Sequence, residues 1–140
     1  MPQAHNWYSA SAEGVIAALW MADAMKVALM KPTFVPDRDA QKLWSDISAQ
    51  EVASGSGYTT GGQALTGKAT VYDPASDTTH LKADNGVWPG STFDTSYAVV
   101  YDSTTGVLWS IVDFGGMKGV SNGQFVINWD VVGLLDLVAP

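Results

Sequence analysis

From residue 51 to the end of the chain no stretch shows helical periodicity. Short β-like runs alternate there with Gly, Asn, Asp, Ser and Thr. Runs of this kind, spaced roughly 8 to 12 residues apart with turn residues between, are the signature of a sandwich or barrel. The body of the chain is therefore confined to an all-β fold. The segments expected to be strands are 63–72, 78–83, 95–101, 107–114 and 124–130, with a shorter one near 134–138. Side chains alternate across a strand. Tyr97, Val99 and Tyr101 thus share a face, and Val107, Trp109, Ile111 and Asp113 oppose Leu108, Ser110, Val112 and Phe114. Asp84-Asn85-Gly86 reads as a turn, Gly115-Gly116 as a sharp turn and Ser54-Gly55-Ser56-Gly57 as a flexible one.

The first fifty residues differ. Ala12, Val15, Ile16, Leu19 and Trp20 form one helical stripe within 11–22, with Ser11 as cap and Glu13 in the first turn. Residues 25–30 then switch to a period of two, as a half-buried strand does, and Lys31-Pro32 stops them. Ala40, Leu43, Trp44 and Ile47 fall at i, i+3, i+4 and i+7, which predicts one or two helical turns capped by Asp37. The expected architecture is mainly β: a β-sandwich or jelly-roll-like barrel with one or two short N-terminal helices. Residues 1–10 are expected to form an arm, and 11–140 a single domain. A chain of 140 residues suits one domain and needs neither disulfide nor metal to hold its core.

Composition narrows the functions. With no cysteine, thiol catalysis, Cys-ligated zinc and iron–sulfur clusters are excluded. Nucleic acid is not an expected partner: Arg38 is the one arginine, and residues 83–140 hold six Asp against the single Lys118. The most apolar stretch, 15–30, is broken by Asp23 and Lys26, too short a run to span a bilayer. The N-terminus lacks the positive region of a secretory leader, so the chain is expected to be made and kept in the cytoplasm unless an assembly carries it out.

Catalytic chemistry finds little purchase. His5 and His80 are the only histidines, and neither has the company a zinc site or a Ser-His-Asp triad requires. Asp37 with Asp39, Asp73 with Asp77, and Asp113 with Asp130 are the carboxylate pairs that could serve a hydrolase or lyase, but their setting favours turn and cap duty. Asp113-Phe114-Gly115-Gly116 matches the kinase magnesium motif without any other kinase element. Neither an enzymatic activity nor a cofactor or metal is expected.

Aromatic residues carry the stronger signal. Six Trp, five Tyr and four Phe exceed what a core of this size easily hides, while only 15% of residues are charged against about 25% in an ordinary soluble protein. Trp20, Trp109 and Trp129 lie on apolar stripes and are expected in the core. Trp7, Trp44 and Trp88 sit beside loops and are expected at a surface, as contact anchors or as sugar-stacking platforms. In the second case Trp88 with Asp84 and Asn85 is the glycan candidate.

Residues 25–65 hold a larger pattern: Asp46 upstream of Glu51-Val52, the turn Gly57-Tyr58-Thr59-Thr60-Gly61-Gly62, and Leu65 opening the next strand. It continues through Tyr97 to Tyr101-Asp102, Asp113 to Gly116, and Phe125 to Asp130. The chain thereby resembles a small family of tailed-bacteriophage virion proteins over most of its length; the Trp-bearing residues 1–10 have no counterpart in the pattern. The resemblance implies a structural component of the virion, with capsid decoration first and a tail-associated or head-fibre role second. It also implies the major capsid protein or other virion subunits as partners, together with self-association. The contact residues expected on this reading are Trp7, Tyr8, Trp44, Tyr58 and Trp88, with Gly57, Gly61 and Gly62 shaping the turn. The alternative from another class is a carbohydrate-binding module for host recognition.

Overall fold

The computed structural model describes residues 9–129 and 135–138. Trp7, Tyr8, His5 and Asp130 lie outside the described residues. The elements run α1 (Ser9–Ala22), β1 (Met25–Met30), α2 (Trp44–Ile47), a 3-10 turn (Ser48–Gln50), β2 (Gln63–Ala64), β3 (Ala69–Asp73), β4 (Thr78–Lys82), β5 (Gly86–Asp102), β6 (Leu108–Ile127) and β7 (Leu135–Val138). Every strand pairing is antiparallel, in a four-stranded sheet of order β2-β1-β5-β6 and a three-stranded sheet of order β3-β4-β7. The fold is mainly β and sandwich-like, with few short helices.

β1 occupies an inner position between β2 and β5, and five of its six residues are buried, so both faces are covered. Its period-two pattern separates two cores. Met25, Val27 and Leu29 join Trp20, Leu81, Trp88, Ala98, Val100 and Val112 in the larger one; Met30 joins Phe34, Ile47 and Val99 in the smaller. Trp20 closes α1 onto the larger core and places its indole N–H 3.3 Å from the Lys82 carbonyl, so the buried polar end is satisfied.

Four sequence expectations are corrected. α1 starts at Ser9, so Ser11 lies inside the helix rather than at its cap, Glu13 falls beyond the first turn, and the proposed arm boundary at residue 10 runs through a helix. Only part of its apolar stripe is used: Ile16, Ala17 and Trp20 pack inward while Val15 and Leu19 remain 62% and 42% exposed. The turn expected at 84–86 gives way from Gly86 onward to β5, and Gly115-Gly116 does not end a strand but sits within β6. There the register passes from Thr95↔Lys118 to Tyr97↔Asp113, so three extra residues are accommodated in a bulge where both glycines take positive φ.

The fourth correction concerns faces. Val100↔Ser110 is followed by Tyr101↔Leu108, so Trp109 is an inserted residue. The shift sends Trp109 to the larger core, 6.0 Å from Trp20, and puts Leu108 with Ile111 on the smaller. A one-residue slip inverts every side chain beyond it, which is why simple alternation misplaced this stretch.

Candidate functional site

From Glu51 to Leu65 the residues of the pattern gather against β1, and Asp46 sits just upstream at the start of α2. Asp46 reaches back from α2: its Oδ2 accepts the backbone N–H groups of Leu43 (2.9 Å) and Lys42 (3.0 Å), donors that the helix start would otherwise leave without partners. Those bonds hold its carboxyl below the usual carboxylate range. The 3-10 turn then delivers Glu51, whose backbone bridges Met30, and Val52, whose N–H donates to the Leu29 carbonyl at 2.9 Å.

Glu51 is buried and anchors the centre. Its Oε2 accepts the Tyr58 hydroxyl at 2.5 Å and the Gly61 N–H at 2.8 Å, while Tyr58 Oη accepts the Leu29 N–H at 3.0 Å. Tyr101 Oη donates to the Gly61 carbonyl at 2.6 Å, and Trp44 stacks on the Tyr101 ring with centroids 4.4 Å apart and planes 4° from parallel. Burial, then the hydrogen bond to Glu51, pushes the Tyr58 phenol far above its ordinary pKa. Burial pushes Tyr101 up to about 12, with the nearby Glu51 carboxylate acting in the same direction. Both phenols therefore stay protonated as donors across the working pH range. This is a clamp that fixes a loop; neither hydroxyl is poised to give up its proton.

Close approach explains the glycines. Gly57 (φ +92°) lies so near β5 that a Cβ would stand 2.2 Å from Ser91 Oγ, and Gly62 (φ +82°) so near β1 that a Cβ would stand 2.0 Å from the Val27 carbonyl oxygen. Leu65 completes the unit, donating its N–H to the Met25 carbonyl at 2.9 Å and burying its side chain.

This geometry corrects the expected contact surface. Tyr58 is only 2% exposed because its hydroxyl is committed within the clamp. Trp88 is likewise 2% exposed and lies among Tyr58 (6.5 Å), Phe125 (6.0 Å) and the neighbouring Phe93. Neither can anchor a partner. Trp44 is half-buried and occupied by Tyr101. The glycan site proposed around Trp88 loses its platform. Its polar members have partners within the chain, since Asn85 Oδ1 accepts the Trp129 backbone N–H at 3.1 Å and Asp84 Oδ2 accepts the Thr66 hydroxyl at 3.3 Å.

Of the carboxylate pairs, Asp37 accepts the N–H groups of Asp39 and Ala40, each at 3.1 Å, and Asp73 accepts the Ser76 hydroxyl and the Ala75 N–H, both at 3.0 Å. These are turn bonds. His80 sits half-buried in β4, in register with Val71 and Asp136. Among the described residues no group of three or more His, Asp or Glu side chains converges as a metal site.

One carboxyl pair escapes the sequence: Asp23, just after α1, hydrogen-bonds to Asp102 at the end of β5. The junction around it is stitched. Ser103 N–H donates to the Ala24 carbonyl at 2.8 Å, Ala24 N–H to Thr104 Oγ1 at 3.1 Å, and Thr104 N–H to Asp102 Oδ1 at 2.9 Å. The shared hydrogen bond with Asp102 raises the Asp23 pKa above the ordinary 3.8, burial and the neighbouring charge adding to it. Burial opposes the charge on Asp102, but the bonds from Asp23, Thr104 and Thr105 outweigh it and lower that carboxyl.

The pair sets a pH dependence. The raised Asp23 adds stability below its unfolded pKa, and that contribution disappears as pH rises through its folded value. The lowered Asp102 adds stability above its unfolded pKa, and that contribution disappears as pH falls through its folded value. Asp23→Asn keeps a donor to Asp102 without the titration. Its thermal midpoint is expected to fall less than the parent's as pH rises above the ordinary carboxylate value of 3.8; an unchanged difference would sever the link.

Tyr58→Phe removes the clamp's donor and leaves Glu51 and the Leu29 N–H without that partner. A cost of about 2–3 kcal/mol is expected in urea unfolding, compared with within about 0.5 kcal/mol if the hydroxyl were a surface group.

Comparison of the chain with protein-family models, curated proteins and solved structures finds no match. Its functional reading therefore stands on its own residues and on the pattern they carry.

Proposed function

We propose that this protein is a structural component of a phage particle, and that it acts as a capsid decoration protein bound non-covalently to the major capsid shell. The observation that carries the reading is the convergence of the pattern residues. Glu51, Tyr58, Gly61, Gly62 and Leu65, positions on which the resemblance rests, are gathered against β1 around the buried Glu51, Tyr58 and Leu65, while the exposed Asp46 caps the start of α2 just upstream, and each has a structural task. A pattern spent on fixing a loop to a sheet suits a protein that works by presenting a rigid surface.

The surface itself is consistent with partners. Val15, Val35 and Met117 are more than 60% exposed, and Leu19, Met21, Tyr72 and Val126 more than 40%. Apolar side chains at such positions are natural contacts in a shell where many weak copies act together. Low charge density across the chain fits a surface partly covered by neighbours. A tail-associated role uses the same surfaces and is the second reading within this class.

Immunogold labelling and quantitative mass mapping of intact virions encoding the chain test the proposal. Label on heads, at a copy number commensurate with the shell, is the expected result. Label confined to tails would move the protein to the second reading, and label on neither would overturn the virion assignment.

A further inference from the structure

α1 joins the sheet through a two-residue hinge, Asp23 and Ala24, between the end of the helix and the start of β1. The Asp23 N–H still donates to the Leu19 carbonyl at 2.9 Å, closing the last helical turn. The hinge is tied to the turn that follows β5. The Ala24 carbonyl accepts the Ser103 N–H at 2.8 Å and the Ser103 hydroxyl at 2.6 Å, and the Asp23 carboxyl bonds that of Asp102. Lys68 Nζ adds a bond to the Asp23 backbone carbonyl at 2.6 Å.

Further up the helix the hold is apolar: Trp20 is sunk in the larger core with Ile16 and Ala17 packed against it, while Val15, Leu19 and Met21 stay exposed. A helix of 14 residues is marginal by itself in water, so α1 lasts only while it is docked. A groove of about 420 Å³ runs beside it, lined by Ile16 and Leu19 of α1, by Val107 and Trp109 around the start of β6, and by Asp23 and Asp102. The carboxyl pair thus fastens the foot of the helix at a groove whose other walls are mostly apolar.

Two carboxyl groups in hydrogen-bond contact need a proton between them. Asp102 is buried and keeps its charge through bonds from Asp23, Thr104 and Thr105, so the proton resides on the half-buried Asp23. Its loss removes the donor and sets two carboxylates side by side. It also leaves a negative charge at the C-terminal end of α1, whose last turn holds no basic residue to meet it. Asp102 and Lys68 are the charged groups acting on Asp23. Lys68 opposes these effects, but Asp102 acts on Asp23 more strongly.

We infer that the Asp23–Asp102 pair is a proton-operated latch: with one proton shared it holds the foot of α1 against β5, and with both carboxylates ionised it lets the helix lift from the groove while the sheets stay closed. Lifting uncovers Ile16, Ala17 and the Trp109 ring that meets Trp20, so the latch sets how much apolar surface this corner offers. Acid engages it. Asp23 titrates above the ordinary 3.8 and Asp102 below it, so a single proton is held around that value and is lost as pH rises through the folded value of Asp23.

Hydrogen exchange read by mass spectrometry on the full chain, corrected for the intrinsic pH dependence of amide exchange, tests the latch. Raising the pH from near 3.8 to neutrality is expected to speed exchange in residues 16–24 by about threefold or more relative to residues 96–101 of β5, which pair with β1. Asp23→Asn keeps a donor to Asp102 without the titration, and Asp102→Asn removes the second charge. Each is expected to abolish the relative change, so one suffices should the other misfold. Equal acceleration in the two regions would show the sheet loosening as a whole and overturn the inference. So would the absence of any acceleration, or one that survives in either folded variant.

Discussion

Gly62→Ala is expected to destabilise the protein by about 4 kcal/mol, lowering the thermal midpoint by roughly 10 to 15 °C. Two costs combine. The backbone at Gly62 has φ +82°, a region where an L side chain is strained. The new methyl would also stand 2.0 Å from the Val27 carbonyl oxygen and 2.8 Å from the Ala28 Cα. Both obstacles are backbone of an inner strand, so no flexible side chain can swing aside, and relief requires the turn to lift off β1. Lifting it would part the Gly61 N–H from Glu51 and the Gly61 carbonyl from Tyr101. Gly61→Ala is the control. Its φ of +95° is similarly strained, but the nearest atom to an added Cβ is 3.7 Å away, so about 1–2 kcal/mol is expected. Equal losses for the two variants would show that conformation rather than close approach demands the second glycine.

Trp88→Ala is expected to cost about 3–5 kcal/mol in chemical denaturation, the range for deleting a large side chain from a packed interior. The indole is 2% exposed and bridges Tyr58, which belongs to the clamp, and Phe125, which lies in β6 and also meets Phe93 and Phe114. Removing it opens a cavity between the two halves of that aromatic cluster. A change within about 0.5 kcal/mol, typical of a surface site, would refute the core placement and restore the sugar-stacking reading for this residue. Trp88→Phe keeps a ring in place and is expected to recover a substantial part of the loss.

How far the sequence reveals the fold depends on whether a local signal is also the decisive one. β1 is legible because Met25 to Met30 alternates and Lys31-Pro32 ends it, and the structure gives the same bounds. β4 is legible for the same reason, being short and flanked by turns. β5 and β6 are not. Pro89-Gly90 and Gly115-Gly116 are local breakers, yet the strands continue through them because the long antiparallel pairing of residues 86–102 with 108–127 outweighs the cost of several bulges. Trp88 was misread with them: beside Pro89-Gly90 it looks like a loop residue, and inside a continuous strand it faces the core.

The candidate site divides in the same way. The spacing of Glu51, Tyr58, Gly61 and Gly62 stands out in the sequence as a pattern, but its meaning does not, because the partners that give it meaning are Leu29 and Tyr101 on other strands. Nothing in the sequence marks Asp23 and Asp102 as a pair. One follows an apolar helix and the other begins a hairpin turn, and only β1–β5 pairing, which sets Met25 opposite Asp102, brings them together.

The inner position of β1 also bears on how the molecule is made. Its long partner, β5, follows some seventy residues later, with Val27 paired to Val100 and Met25 to Asp102. A nascent chain therefore emerges from the ribosome with its most apolar strand waiting, and the larger core cannot close until that later segment has been synthesised. Such distant pairing slows closure. C-terminal truncations ending before residue 102 should accumulate as chaperone-bound or insoluble material, whereas a polypeptide that includes β5 and β6 completes its sheet.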